Sequence, residues 1–241
     1  MIRIAAVGDV HIGKHGRNRL GPALNNLAAE ADVLLLAGDL TNHGTPDEAK
    51  EVAAEFGDLG LPVIGVLGNH DHHSDVPDRV AEILVGAGIR MLEGSGTVLA
   101  IGGETLGVAG VKGFGGGFTG KSGSNFGERE MKSFIGHTIE RAGSLDKALA
   151  ELPAVDVKIA LTHYSPTPET LAGEPPELYP FLGAYQLAEA IDANGVDLAI
   201  HGHAHFGCER GATPAGIPVR NVAKPVLRAP YRVYAVEAGR R

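Results

Sequence analysis

Cysteine is nearly absent from this sequence, because Cys208 is the only one among 241 residues. A lone cysteine cannot form an intrachain disulfide, and such a composition is typical of proteins in a reducing cytoplasm. We therefore expect a cytoplasmic location. Cys208 itself is interpreted as an inert small side chain rather than as a nucleophile.

Long apolar segments are also lacking. Residues Met1 to Val7 are too few for the apolar core of a signal peptide, and no stretch reaches the roughly 20 apolar residues that a membrane span requires. The sequence therefore predicts a protein without a membrane partner.

An excess of positive charge is missing as well, since the formal net charge is −8. Binding of extended nucleic acid depends on Lys and Arg side chains that neutralise many phosphates, so this balance argues against such a partner. The net charge of the whole chain does not exclude a local patch of basic residues. There is no internal repeat and no low-complexity tail, and we expect one domain over residues 1–241.

The sequence does contain an alternation of short apolar segments and helical patterns. Residues Ile2 to Val7, Val33 to Ala37 and Val63 to Leu67 are short, apolar and β-branched, and we predict that they are buried parallel strands. Helices are predicted between them, over Asn18 to Ala31 and from the capping box Thr45-Pro46-Asp47-Glu48. This alternation predicts an α/β fold whose ligands bind beyond the carboxyl ends of the strands.

The rest of the chain is predicted to add a second, more antiparallel sheet, which starts in the short strands and Gly-rich turns of Ile89 to Ala109. Residues 113–127 are predicted as a glycine- and serine-rich loop, and a Pro-rich loop runs to Pro180. The remaining predicted elements are helices at 77–86, 128–152 and 185–193, and strands at 157–161, 197–200, 217–221 and 233–236.

Five polar clusters directly follow predicted strands and should therefore meet at one edge. They are Asp9-Val10-His11, Gly38-Asp39, Gly68-Asn69-His70-Asp71, His163 and Gly202-His203-Ala204-His205. Carboxylates, an amide oxygen and imidazoles together suit Mn, Fe or Zn better than Ca or Mg. These donors outnumber the ligands of a single ion, which argues for two metal ions with one carboxylate placed to bridge them.

Such a pair of ions can bind a water between them, lower its pKa and present hydroxide to a phosphorus atom. The leaving oxygen then needs a proton, and His70, between Asn69 and Asp71, is the candidate that assists it. Asp71 either orients this imidazole or caps the next turn. We accordingly predict His70 and Asp71 as the catalytic residues.

In their order and residue identities, the five clusters resemble the motifs of the calcineurin-like metallophosphoesterases, and the resemblance spans residues 9 to 205. It implies a four-layer sandwich of two mixed β-sheets flanked by helices, with His70 assisting departure of the leaving group. The implied ligands of the first metal are Asp9, His11, Asp39 and His205, and those of the second are Asp39, Asn69, His163 and His203.

The residues after Gly38 and Gly68 differ from those of the protein Ser/Thr phosphatases and are more similar to those of small bacterial phosphodiesterases. We therefore expect hydrolysis of a small phosphodiester, such as a nucleotide. The alternatives are a phosphomonoesterase of the same family and a metal-binding module without turnover. A homodimer is the default expectation for the oligomeric state.

One motif competes with this interpretation, because Gly115 to Ser122 fits the P-loop pattern letter for letter. A working P-loop lies directly before a helix, whereas Lys121 and Ser122 are followed by more glycines. The alternative is a loop over the metal site whose Lys121 contacts substrate phosphate. Four aromatic residues after His163 are predicted either to stack on a base or to belong to the core: Tyr164, Tyr179, Phe181 and Tyr185.

Overall fold

The computed structural model describes residues 1–237, so residues 238–241 of the predicted domain lie outside the described part. The strands are β1 Ile2–Val7, β2 Val33–Ala37, β3 Val63–Val66, β4 Arg90–Met91, β5 Ser95–Ile101, β6 Glu104–Val111, β7 Gly117–Phe118, β8 Lys121–Ser122, β9 Val157–Thr162, β10 Leu198–His201, β11 Arg210–Ala212, β12 Pro218–Asn221 and β13 Arg232–Val236. The α-helices are α1 Leu27–Glu30, α2 Pro46–Phe56, α3 Pro77–Gly86, α4 Arg129–Ala150, α5 Tyr179–Leu182, α6 Tyr185–Ala193 and α7 Lys224–Leu227.

The first sheet has the strand order β13-β1-β2-β3-β4. Strands β1 to β4 pair in parallel, while β13 joins β1 antiparallel. The predicted bounds of β1 and β2 are confirmed, and β3 ends one residue before the predicted Leu67. Because β1, β2 and β3 run in the same direction, the residues that follow them all emerge at one edge.

The second sheet has the order β11-β12-β10-β9-β6-β5. Its two outer pairs, β5–β6 and β11–β12, are antiparallel, but the three central pairs are parallel. The prediction of a more antiparallel second sheet is therefore wrong at its centre. Helix α4 carries the chain from β6 to β9, and α6 carries it from β9 to β10; crossovers of this kind make the strands parallel.

The layers follow from the three large apolar clusters. The inner cluster joins side chains of both sheets, such as Ile4 and Leu35 of the first and Val108 and Ile159 of the second. The other face of the first sheet packs on α1, α2 and α3, and the other face of the second packs on α4 and α6. The predicted four-layer sandwich of two mixed sheets flanked by helices is confirmed.

The predicted helix over Asn18 to Ala31 is wrong. The structure has a 3₁₀ turn over Gly21–Leu24 and the single turn α1 instead. Gly21 adopts a left-handed φ of 54°, and proline follows it, so a helix cannot run through this point. Leu24 and Leu27 still pack against the sheet, which explains the helical spacing of the leucines.

The predicted start of α2 is confirmed in atomic detail. The Thr45 hydroxyl accepts from the Glu48 amide at 3.3 Å, and the Glu48 carboxylate accepts from the Thr45 amide at 3.4 Å. This reciprocal cap satisfies two amides that the first turn leaves unpaired. Among the helices of residues 1–237, none is both long enough and apolar enough to cross a bilayer.

Candidate metal centre

The five polar clusters meet at one edge of the sandwich, where the carboxyl ends of strands from both sheets lie together. The loops after β1, β2 and β3 come from the first sheet, and those after β9 and β10 come from the second. Two contacts join the sheets here. The ring of His163 donates from Nδ1 to the Ala37 carbonyl at 2.9 Å, and the His203 amide donates to the Asp9 carboxylate at 2.9 Å.

The first group of donors is formed by Asp9, His11 and His205, whose ligand atoms lie within 4.8 Å of one another. His205 Nε2 lies 2.9 Å from Asp9 Oδ1. Both ring nitrogens of His11 are buried and have no hydrogen-bond partner among the described residues. An unpaired buried polar atom is costly, so the His11 ring lacks a partner that a cation in this group would provide.

The second group is formed by Asp39, His163 and His203, again with ligand atoms within 4.8 Å. His163 is fully buried. Since its Nδ1 donates to Ala37, its neutral ring presents a lone pair on Nε2, which faces Asn69 Oδ1 at 2.9 Å. Two acceptors that face each other share no proton, and a cation bound to both would remove the repulsion.

Asp39 belongs to both halves of the site. Its Oδ1 lies 3.4 Å from His163 Nε2, and its Oδ2 lies 3.9 Å from the Nε2 atoms of His11 and His70. Asp39, His11 and His70 form a third group that overlaps the other two. This is the position that a bridging carboxylate requires.

The electrostatics of the site fit a bound cation. Burial, together with the charges of Asp9 and Asp71, raises the pKa of Asp39 to about 9. Burial lowers the pKa of His11 to about 4 and that of His203 to about 3. Divalent cations favour the ionised carboxylate and bind neutral imidazoles, so metal ions would stabilise this set of donors in the form that binds them.

Four of the predicted metal ligands have an unusual backbone. Asp9, His11, Asp39 and His203 adopt left-handed φ values of 55°, 46°, 50° and 69°. Residues other than glycine seldom adopt this conformation, and it costs about 1 kcal/mol or more each. Such strain is characteristic of functional sites, and here it turns side chains inward directly after the strands.

Glycine is required beside these ligands for two different reasons. Gly38 has a φ of 80°, and a Cβ there would lie 2.5 Å from the His163 ring. Gly68 has an ordinary φ, but a Cβ there would lie 2.1 Å from Asp39 Oδ1. Gly38 therefore permits a left-handed backbone at the end of β2, while Gly68 provides clearance for the Asp39 carboxylate.

The two predicted catalytic residues have separate surroundings. His70 is half-exposed, and its Nδ1 donates to the Asn42 carbonyl at 2.8 Å. Asp71 is buried, and its carboxylate accepts from the amides of Leu40, Thr41 and Gly68 and from the Thr41 hydroxyl. Among the described residues, the His70 imidazole is thus oriented by Asn42, and Asp71 joins the loops after β2 and β3.

The P-loop pattern of Gly115 to Ser122 forms a β-hairpin. Lys121 and Ser122 are exposed in β8, and the next helix, α4, begins only at Arg129. The helix N-terminus that a P-loop requires is therefore displaced from the motif. The hairpin hydrogen-bonds to the segment after His163, through Gly116 to Pro180 and Gly117 to Gly183.

Two further residues lie beside the site: Tyr164, which belongs to the core as one of the two predicted alternatives has it, and Lys112, for which the sequence predicted no role. The Tyr164 ring is buried 4.3 Å from the His203 ring, so it serves as a wall of the site. Lys112 follows β6, and its Nζ lies 5.2 Å from the centre of the Tyr164 ring. A polar residue directly after a strand is the signal that identified the other clusters, but the predicted strand region ended at Ala109.

Comparisons with known proteins agree with this architecture. A family model described as calcineurin-like phosphoesterase matches residues 2–207. A protein of Synechococcus named a probable cyclic nucleotide phosphodiesterase is 32% identical over 92 residues. That alignment covers 34% of this chain and 34% of the relative, so the chain spans about a third of the curated relative it matches.

Solved structures show the same fold at low sequence identity. The phosphopantetheinyl hydrolase of Mycobacterium tuberculosis is 15% identical, with a TM-score of 0.66 over 91% of this chain and 88% of that one. A putative 5′-nucleotidase of Staphylococcus aureus is 17% identical, with a TM-score of 0.58 over 98% of this chain and 53% of that one. These likenesses concern the fold alone.

Proposed function

The chain belongs to the calcineurin-like phosphoesterase family, and we propose that it is a metal-dependent phosphoric ester hydrolase with two transition-metal ions that acts on a small phosphodiester. The observation that carries the proposal is the position of Asp39. One oxygen of this carboxylate faces His163 at 3.4 Å and the other faces His11 at 3.9 Å, so it is shared by two groups of donors.

The first ion would be held by Asp9, His11, Asp39 and His205, and the second by Asp39, Asn69, His163 and His203. Mn, Fe and Zn suit this mixture of oxygen and nitrogen donors. When bound, the ions would supply Lewis acidity and positive charge for the phosphate and its attacking water.

His70 would protonate the leaving oxygen. Its Nδ1–H donates to the Asn42 carbonyl at 2.8 Å, which fixes the orientation of the ring. The opposite atom, Nε2, lies on the side of Asp39 and belongs to a half-exposed side chain, so a bound ester can reach it. A proton on Nε2 would pass to the leaving oxygen as the phosphorus–oxygen bond breaks. Asp71 would act as a positioning residue for the two loops.

The Synechococcus relative is named as a phosphodiesterase, which favours a phosphodiester over a monoester as the substrate. The proposal also includes a cytoplasmic location, a single domain and a homodimer. A phosphomonoesterase is the second candidate. A metal-binding module without turnover would not require His70 to be reachable beside Asp39.

The test compares hydrolysis of bis-para-nitrophenyl phosphate and para-nitrophenyl phosphate, each with added Mn and with excess chelator. We expect metal-dependent turnover with a higher kcat/KM for the diester. A higher kcat/KM for the monoester would favour the second candidate, and no turnover of either ester with Mn, Fe or Zn would contradict the proposal.

A further inference from the structure

A trough of about 540 Å³ lies beside the metal centre, between α3, α4 and the strand β4. Most of its exposed surface is apolar and includes Ala81 and Val85 of α3 together with Met91 and Leu92. Its polar and charged lining residues are Lys112, Arg141, His72, His137, Asp78, Glu82 and Glu93. Cavities of roughly 300–1,000 Å³ with apolar walls and few polar groups are typical of small-molecule sites. The polar groups of the trough therefore indicate what kind of molecule fits it.

The most deeply placed of these groups is Lys112, whose residue is only 7% exposed. Its Nζ lies 5.1 Å from the centre of the Phe114 ring and 5.2 Å from that of Tyr164. Among the described residues, no carboxylate lies within ion-pair distance of this amine and no acceptor lies within hydrogen-bond distance.

The charges of Glu93 and Asp39 both act on the Lys112 amine, but neither carboxylate lies within ion-pair distance of it. Glu93 accepts from the Lys112 backbone amide at 2.9 Å and from Arg141 at 3.1 Å. A buried cation without an anionic partner is costly, and the two rings compensate only part of that cost. The amine of Lys112 is thus arranged to receive an anion from outside the chain.

The backbone of Lys112 is bonded to the segment that carries the predicted metal ligand His163. The amides of His163 and Tyr164 donate to the Lys112 carbonyl at 3.0 and 3.1 Å. The Tyr164 ring lies beside the Lys112 amine on one side and 4.3 Å from the His203 ring on the other. His72, two residues after His70, also lines the trough.

We propose that the trough is the substrate subsite of this centre, in which Lys112 binds an oxygen of the phosphate and the apolar walls hold an organic group esterified to it. The inference rests on the proposed function and narrows its substrate class. Preferred substrates carry a sizeable apolar or aromatic substituent on the phosphate, rather than a small hydrophilic one.

The experiment is calorimetric titration of Mn-loaded protein with two stable phosphate analogues, phenylphosphonate and methylphosphonate. The ring should enter the trough, so we expect phenylphosphonate to bind the unmodified protein about tenfold more tightly. Lys112→Met keeps the apolar part of the side chain but removes a charged hydrogen bond, so it should lower the affinity for both phosphonates about tenfold. The matched control is Lys147→Met at an exposed lysine of α4, which should change neither affinity.

A second variant protects the test against misfolding of the first. Val85 is 56% exposed at the trough, so Val85→Asn should fold normally. This variant should lower the affinity for phenylphosphonate about threefold, because apolar contact is lost, and should leave the affinity for methylphosphonate unchanged.

Equal affinities of the two phosphonates for the unmodified protein would overturn the subsite, as would equal effects of the Lys112 and Lys147 variants in folded protein. Because titration does not depend on turnover, the two proposals fail separately. If diester hydrolysis is intact but phenylphosphonate binds no more tightly than methylphosphonate, only the subsite is rejected. If phenylphosphonate binds more tightly but neither ester is hydrolysed, only the proposed function is rejected.

Discussion

The Thr41 hydroxyl donates a hydrogen bond of 2.6 Å to the buried carboxylate of Asp71, and this bond joins the loop after β2 to the loop after β3. The first loop carries Asp39, and the second carries Asn69 and His70. The same carboxylate accepts from the amides of Thr41 and Gly68, each at 2.8 Å. The relative position of the metal ligands thus depends on a residue that is not itself among them.

Asp71→Ala should therefore destabilise the fold. The change leaves several buried donors unpaired, and we expect the free energy of unfolding to fall by about 3 kcal/mol. Urea unfolding of metal-free protein measures this. Asp58→Ala removes an exposed aspartate and is the matched control. Equal urea midpoints for the two variants would show that the hydrogen bonds of Asp71 contribute little to the free energy of unfolding.

His70→Ala should separate catalysis from metal binding. We expect unchanged metal content and a kcat for bis-para-nitrophenyl phosphate that is about 10²- to 10⁴-fold lower, because the leaving oxygen loses its proton donor. Added imidazole should restore part of the rate. His73→Ala, at an exposed histidine of the same segment, should keep full activity. Undiminished turnover in the His70 variant would refute the role given to it.

Gly68→Ala should weaken metal binding although it adds only a methyl group. That methyl would lie 2.1 Å from Asp39 Oδ1 and 2.3 Å from the Asp39 amide, so the bridging carboxylate must move. We expect a Kd for Mn at least about tenfold higher, corresponding to about 1.4 kcal/mol. Gly86→Ala is the control, since a Cβ there meets nothing within 4 Å. Identical Mn affinities would mean that the loop yields without disturbing Asp39.

Metal removal should lower the thermal stability. In the absence of a cation, burial and the charge of Asp9 disfavour the ionised form of Asp39, and ions that bind only the folded state stabilise that state. Mn at about a hundredfold its Kd should raise the Tm by about 5–10 °C for each of the two ions bound, and excess chelator should reverse the rise. Asp39→Asn should show a much smaller response. An equal response in this variant would place the binding ions elsewhere on the chain.

Much of this architecture could be predicted from the sequence, because the relevant signals are local. Each predicted ligand follows an apolar strand, so the alternation of strands and helices is enough to place Asp9, Asp39 and Asn69 at one edge of the sheet. The cap of α2 is likewise encoded within four residues, from Thr45 to Glu48.

What could not be predicted depends on contacts between distant residues. The partners of Asp71 lie in the loop after β2, and no local pattern distinguishes that network from a cap of the next turn. Similarly, the parallel centre of the second sheet is set by the packing of α4 and α6, not by its strands. The unpaired state of the Lys112 amine is a property of the folded surroundings alone.

Two groups of donors that share Asp39 should hold two metal ions, and the metal-to-protein ratio tests this expectation most directly. Protein saturated with Mn, freed of excess metal by gel filtration and measured by elemental analysis should contain close to two ions per chain, and Asp39→Asn should contain far fewer. A ratio near one or zero in the unmodified protein, or an unchanged ratio in Asp39→Asn, would contradict the account.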